Sequence, residues 1–208
     1  WSWLERAGLL DEYLAEAATL PQNYVIRQPT LVTDFSSSTG MTLTQGTGSV
    51  ALDTTPAYVR TGTASLKIVQ QASASSALVD LDCRNAAFGG TGSEGFSAVA
   101  DNMWHLRSYV DTPNNQNTLS LFVSNTAAGF ADYFAAIAAD HWWDRVENRK
   151  DWTTGGGAPS WGTPVRTIRI RPSANANGTL TTWLDALYRG GYARPKILIT
   201  FDDSNDQQ

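Results

Sequence analysis

The chain has 208 residues, a formal net charge of −5 and 42% hydrophobic residues, enough for one large or two small domains with a packed core. Only 17% of residues are charged, while Thr, Ser, Ala, Asn and Gly abound, which suits short strands and polar turns better than surface helices. The acidic balance argues against a nucleic-acid partner, whose phosphates need clustered Lys and Arg, and no apolar run approaches the roughly 20 residues of a membrane span.

The chain opens at Trp1 with neither an initiator Met nor a charged-then-apolar leader, and so reads as a fragment at its front. Ser2 and Glu5 have the spacing of a capping box. Trp3, Ala7, Leu10, Leu14 and Ala17 follow at steps of four and three, which predicts an amphipathic helix within residues 1–22, stopped by Pro21. Its stripe either packs on its own domain or forms a short coiled-coil-like contact that would make the protein a homo-oligomer.

From Tyr24 the apolar period changes to two. Strands are expected at 30–35, 41–45, 49–53, 64–69 and 77–82, then at 95–100, 103–110, 118–123, 142–146, 165–171 and 181–188. Residues 127–140 are alanine-rich and fit strand or helix, with strand favoured. Strands at this cadence over residues 23–189 mean a sandwich or barrel, so the fold class is mainly β. Cys83 is the only cysteine, which excludes an internal disulfide. Arg166, Arg169 and Arg171 cluster along one predicted strand and read as a solvated face.

Trp104, Trp143 and Trp183 sit in predicted strands and are expected in the core. Trp152 and Trp161 flank Gly155-Gly156-Gly157 and are candidates for stacking on a sugar ring; the competing reading is packing across the rim of the sandwich. His105 and His141 have no ligand-like spacing, no Ser, His and Asp arrangement suggests nucleophilic catalysis, and Asn177-Gly178-Thr179 fits a glycosylation sequon.

Gly190-Gly191-Tyr192-Ala193-Arg194-Pro195 reads as a linker, because Gly breaks the preceding strand and Pro withholds a ladder donor. Lys196-Ile197-Leu198-Ile199-Thr200-Phe201 then runs without alternation, as a strand buried on both faces does. Asp202 and Asp203 follow at its carboxyl end, where α/β barrels place their chemistry. Residues 196–208 therefore read as the start of a second, catalytic domain.

Two resemblances follow from these residues. Asp34-Phe35, the run from Gly62 to Ile68, Trp143, the run from Val165 to Arg171, and Trp183-Leu184-Asp185-Ala186-Leu187 resemble, in order, pieces of jelly-roll carbohydrate-binding modules. That resemblance implies a polysaccharide partner and a structural calcium tying first and last strands together, with Asp34 and Asp185 as its ligands. The Thr200-Phe201-Asp202-Asp203 stretch resembles the first motif of the polysaccharide deacetylases, carbohydrate esterase family 4. It implies Asp202 as general base and Asp203 as ligand of a divalent metal, commonly zinc, that polarises the acetyl carbonyl and the attacking water. Ser204 stands where many members have Gly, and the histidine pair that completes the family's metal site has no counterpart through Gln208. Three functions are thus in view for an extracellular, cell-surface or virion-associated protein. They are a glycan-binding sandwich beside a deacetylase, the deacetylase itself, and a structural or adhesive spacer of a phage tail or surface assembly.

Overall fold

The computed structural model describes residues 29–44, 48–72, 77–125, 143–153 and 160–190. The expected helix within 1–22, the stretch 127–140, the linker beyond Gly190 and the strand with Asp202 and Asp203 lie outside the described residues. Ten strands are described: β1 (Thr30–Thr33), β2 (Met41–Thr44), β3 (Ser49–Asp53), β4 (Ser65–Gln70), β5 (Leu78–Asp82), β6 (Met103–Val110), β7 (Gln116–Ser124), β8 (Trp143–Asn148), β9 (Thr167–Ala174) and β10 (Leu180–Arg189).

They form two antiparallel sheets, β3-β4-β10-β6-β8 with β1 also on β10, and β2-β5-β9-β7. The inner faces meet in one core. Leu66 and Ile68 of β4, Trp104 and Leu106 of β6, and Leu184 and Leu187 of β10 pack against Val79, Leu81, Leu119, Leu121, Val123, Ile168 and Ile170 of the second sheet. Except in β10 these are alternate positions of each strand, so a period of two converts directly into an apolar inner face and a polar outer one. Fully burying each large aliphatic side chain contributes about 1.5–3 kcal/mol.

Three departures from simple alternation matter. The segment expected as a strand at 95–100 makes only one isolated bridge, Phe96 to Val165. A Cβ on Gly95 would lie 1.5 Å from the Val165 carbonyl oxygen, so that backbone approach needs glycine and continues into a turn at Asp101. Pro172 lies within β9 but beyond its last pairing with β5, Val79 to Ile170, where β9 has a strand on one side only. Finally, the β10–β6 register shifts between Leu184 and Ala186. This bulge at Asp185 reverses the parity of the strand, so Leu184 and Leu187, three apart, both enter the core.

Strand β10 is long enough to have two neighbours in succession along one edge. Leu180 to Leu184 pair with β4, and Leu187 to Arg189 pair with β1. The bulge at Asp185 falls in the gap between them.

Candidate functional site

On the outer face of the larger sheet, register aligns Ala51 of β3, Lys67 of β4, Trp183 of β10 and Tyr109 of β6 in one row across the strands. Trp183, expected in the core, is buried at 2% exposure, but on the outer face of the sheet rather than in the cluster between the sheets. Tyr58 covers it, with ring centroids 4.0 Å apart and planes within 13°. Tyr109 meets Trp183 edge-on at 5.6 Å and Tyr58 at 5.3 Å, and the Lys67 ammonium lies 5.2 Å from the Trp183 ring. The Trp183 indole N–H donates to Asp53 Oδ2 at 2.9 Å, so its polar edge is satisfied.

Local sequence delivers Tyr58 to this position. Asp53 Oδ1 accepts the Thr55 N–H at 2.9 Å, and Pro56 starts a 3-10 turn, Pro56–Tyr58, that lays the tyrosine back over the sheet. Hydrogen bonding from Thr55, and next from Trp183, holds the Asp53 carboxyl below its ordinary range. The result is a half-buried pair of tyrosines backed by a buried tryptophan and edged by a lysine.

The chain after Tyr58 is anchored beside this cluster. The N–H groups of Arg60 and Thr61 donate to Asp185 Oδ1 at 2.8 and 3.1 Å, and Arg107 Nη1 donates to Thr61 Oγ1 at 2.9 Å and lies 3.9 Å from Asp185 Oδ2. Asp34 reaches the same loop from β1: a Cβ on Gly62, which has φ +71°, would lie 2.3 Å from Asp34 Oδ2. Asp34 Oδ1 accepts the Ser36 N–H at 3.0 Å, and Ser36 Oγ accepts the Thr63 and Ala64 N–H groups. Phe35 between them takes a left-handed φ of 54° and is fully buried. The structure thus brings the two expected calcium ligands to one loop. The donor set is a poor match to calcium, which takes 6–8 oxygens. Asp185 is approached by two N–H groups and a guanidinium, and no group of three or more His, Cys, Asp or Glu is found among the described residues.

Trp152 and Trp161 occupy a different place. Both are half-buried at the end of the sandwich, with rings 5.8 and 6.2 Å from fully buried Trp104 and 5.7 Å from each other. Arg149 lies 5.3 Å over the Trp161 ring and donates to the Ala98 carbonyl at 2.9 Å. They pack onto the core cluster. The arginines of β9 and its approach are paired: Arg169 binds Asp80 through two hydrogen bonds of 2.6 and 2.7 Å, Arg166 meets Glu94 at 3.5 Å, and Arg171 lies over Phe122.

No protein-family model matches the chain, and no curated protein matches it. Solved structures do. A family 11 carbohydrate-binding module of the cellulosomal cellulase Lic26A-Cel5E of Clostridium thermocellum superposes with a TM-score of 0.55 and 6% identity, covering 79% of this chain and 95% of its own. A carbohydrate-binding module of the β-sandwich superfamily, studied for promiscuous specificity, matches with a TM-score of 0.51 and 16% identity over 76% of this chain and 61% of its own. The agarase AgWH50C matches with a TM-score of 0.52 and 8% identity over 80% of this chain, which spans 25% of that enzyme. The chain has the fold of a carbohydrate-binding-module β-sandwich. At such identities the likeness is one of fold, and it says nothing of which residues touch a ligand.

The sequence points to aromatic residues beside a Gly-rich loop, Trp152 and Trp161, and does not single out Tyr58 and Tyr109. A signal for Tyr109 was present: with Trp104, Leu106, Ser108 and Val110 facing inward, Tyr109 must face out. The local turn at Asp53, Thr55 and Pro56 places Tyr58, but its stacking partner Trp183 lies 125 positions away in the chain and cannot be read locally.

Proposed function

We propose that this sandwich binds polysaccharide through the outer face carrying Tyr58, Tyr109 and Lys67. The observation that carries the reading is the Tyr58 ring held flat against Trp183. A tyrosine fixed in this way offers its other face to the apolar side of a pyranose ring without losing rotamer freedom on binding. Lys67 and the tyrosine hydroxyls are the hydrogen-bonding groups at its edge. The carbohydrate-binding modules that share the fold support the class of ligand.

The test is titration of the protein against a panel of soluble glycans, followed by Tyr58→Ala and Tyr109→Ala. Each substitution is expected to weaken binding roughly tenfold, as loss of one stacking contact implies. Unchanged affinity in both would move the site to Trp152 and Trp161, which Trp161→Ala would then reveal. Absence of binding to any glycan would leave the sandwich as a structural spacer of a tail or surface assembly.

The finer reading is that the sandwich delivers a polysaccharide deacetylase to its substrate outside the cell or on a virion. It is supported by the Thr200-Phe201-Asp202-Asp203 motif that follows the sandwich. In that reading Asp203 helps hold a divalent metal, zinc in the usual case, which supplies Lewis-acid polarisation when bound, and Asp202 takes the proton of the attacking water. Acetate release from an acetylated glycan by the full-length protein, abolished by Asp202→Asn with glycan binding retained, is the expected result. Acetate release unaffected by that change would exclude the assignment.

A further inference from the structure

We infer that Arg107 brings to the Asp185 carboxylate the positive charge that a metal ion would otherwise supply, so that the sandwich closes the Tyr58 loop onto the sheet without calcium. Asp185 is fully buried, and a buried carboxylate persists only when paired and hydrogen-bonded. Its location explains the need. At the bulge β10 has lost β4 as a neighbour and has not yet gained β1, so the Asp185 side chain fills the gap in the ladder. There Oδ1 accepts the N–H groups of Arg60 and Thr61, in the place of a missing strand.

The second oxygen, Oδ2, has no hydrogen bond and faces Arg107 Nη1 at 3.9 Å. Arg107 is in turn fixed by Thr61 Oγ1. One guanidinium therefore joins β6, β10 and the β3–β4 loop, the three pieces that a bound cation would have to draw together. Calcium at Asp185 would sit beside that guanidinium and against two N–H dipoles, all repelling it. Among the described residues Asp34 would be left as the one remaining carboxylate, with its Oδ1 already accepting the Ser36 N–H.

Thermal melting of the wild-type chain tests this directly, and independently of any glycan. The midpoint is expected to be the same in millimolar calcium and in excess chelator. Arg107→Met should lower it by on the order of 10 °C, because a buried charge loses its partner. In an Asp185→Asn background the same Arg107→Met change should cost at most a third of that, since a neutral amide needs no counter-charge. A saturable rise of the midpoint with calcium that chelator reverses would overturn the proposal, as would equal effects of Arg107→Met in both backgrounds. If Arg107→Met alone does not fold, recovery of folded protein in the double variant upholds the clamp, and its failure to recover overturns it.

Discussion

The molecule holds two aromatic clusters that share composition and differ in what lies beneath them. At the end of the sandwich, Trp152 and Trp161 rest on Trp104, and through it on the core shared by both sheets. On the outer face, Tyr58 and Tyr109 rest on Trp183, which rests on a polar frame of Asp53 and Lys67 rather than on the core. The first cluster closes a hydrophobic interior. The second is stabilised by local turn chemistry on the outer face of the sheet, and under the proposed function that difference gives the first cluster to stability and the second to recognition.

Substitutions at the two clusters should therefore separate cleanly. The largest effect is expected at Trp104→Ala, which removes a fully buried core side chain and should lower stability by about 3–5 kcal/mol, measured by denaturant unfolding. If it costs less than about 1 kcal/mol, the end cluster is not part of the core and the contrast fails. Next comes Tyr58→Ala, with its roughly tenfold loss of glycan affinity and little change in unfolding midpoint. Trp161→Ala should do the reverse, costing about 1–2 kcal/mol of stability while leaving glycan affinity intact. A fall in affinity there with stability unchanged would exchange the roles of the two clusters.

Two smaller effects distinguish them by pH. Cys83, in the same core as Trp104, has its thiol pushed by burial from 9.0 up to about 12. The folded state keeps that proton when the unfolded state has lost it, so this contribution is complete below about pH 9 and is lost as pH rises toward 12. Alkylation of Cys83 in mild alkali should accordingly require unfolding, and rapid labelling of the native protein would contradict its burial. Asp53, in the outer cluster, behaves oppositely. Its folded carboxyl lies below the ordinary value, so its contribution is present above that value and fades as pH falls through the folded one. Replacing it by Asn should flatten the acid limb of the stability curve slightly and leave the alkaline limb unchanged.

How much of this was legible beforehand varies by residue. The inward positions of β6 and β9 could be read from alternation alone, and Ser49–Asp53 and Met103–Val110 occupy the ranges expected for them. The stretch at 95–100 looked equally strand-like but yields one bridge, Phe96 to Val165, before the chain turns with the Asp101 N–H donating to the Ala98 carbonyl. Trp183 was placed in the core because large aromatics usually lie there. Its burial is real, but Tyr58 creates it from outside the sheet.

Taken by itself, the sequence determined a β class, the approximate strands, the absence of a disulfide and the acidic surface, since each depends on composition or on a period of two. Only tertiary structure decided which aromatic cluster packs on the shared core, and why Leu184 and Leu187 both reach that core. The physical reason is register. A bulge at Asp185 shifts every side chain beyond it to the other face, and Asp185 is held there by Arg60, Thr61 and Arg107, residues that lie far away in the chain.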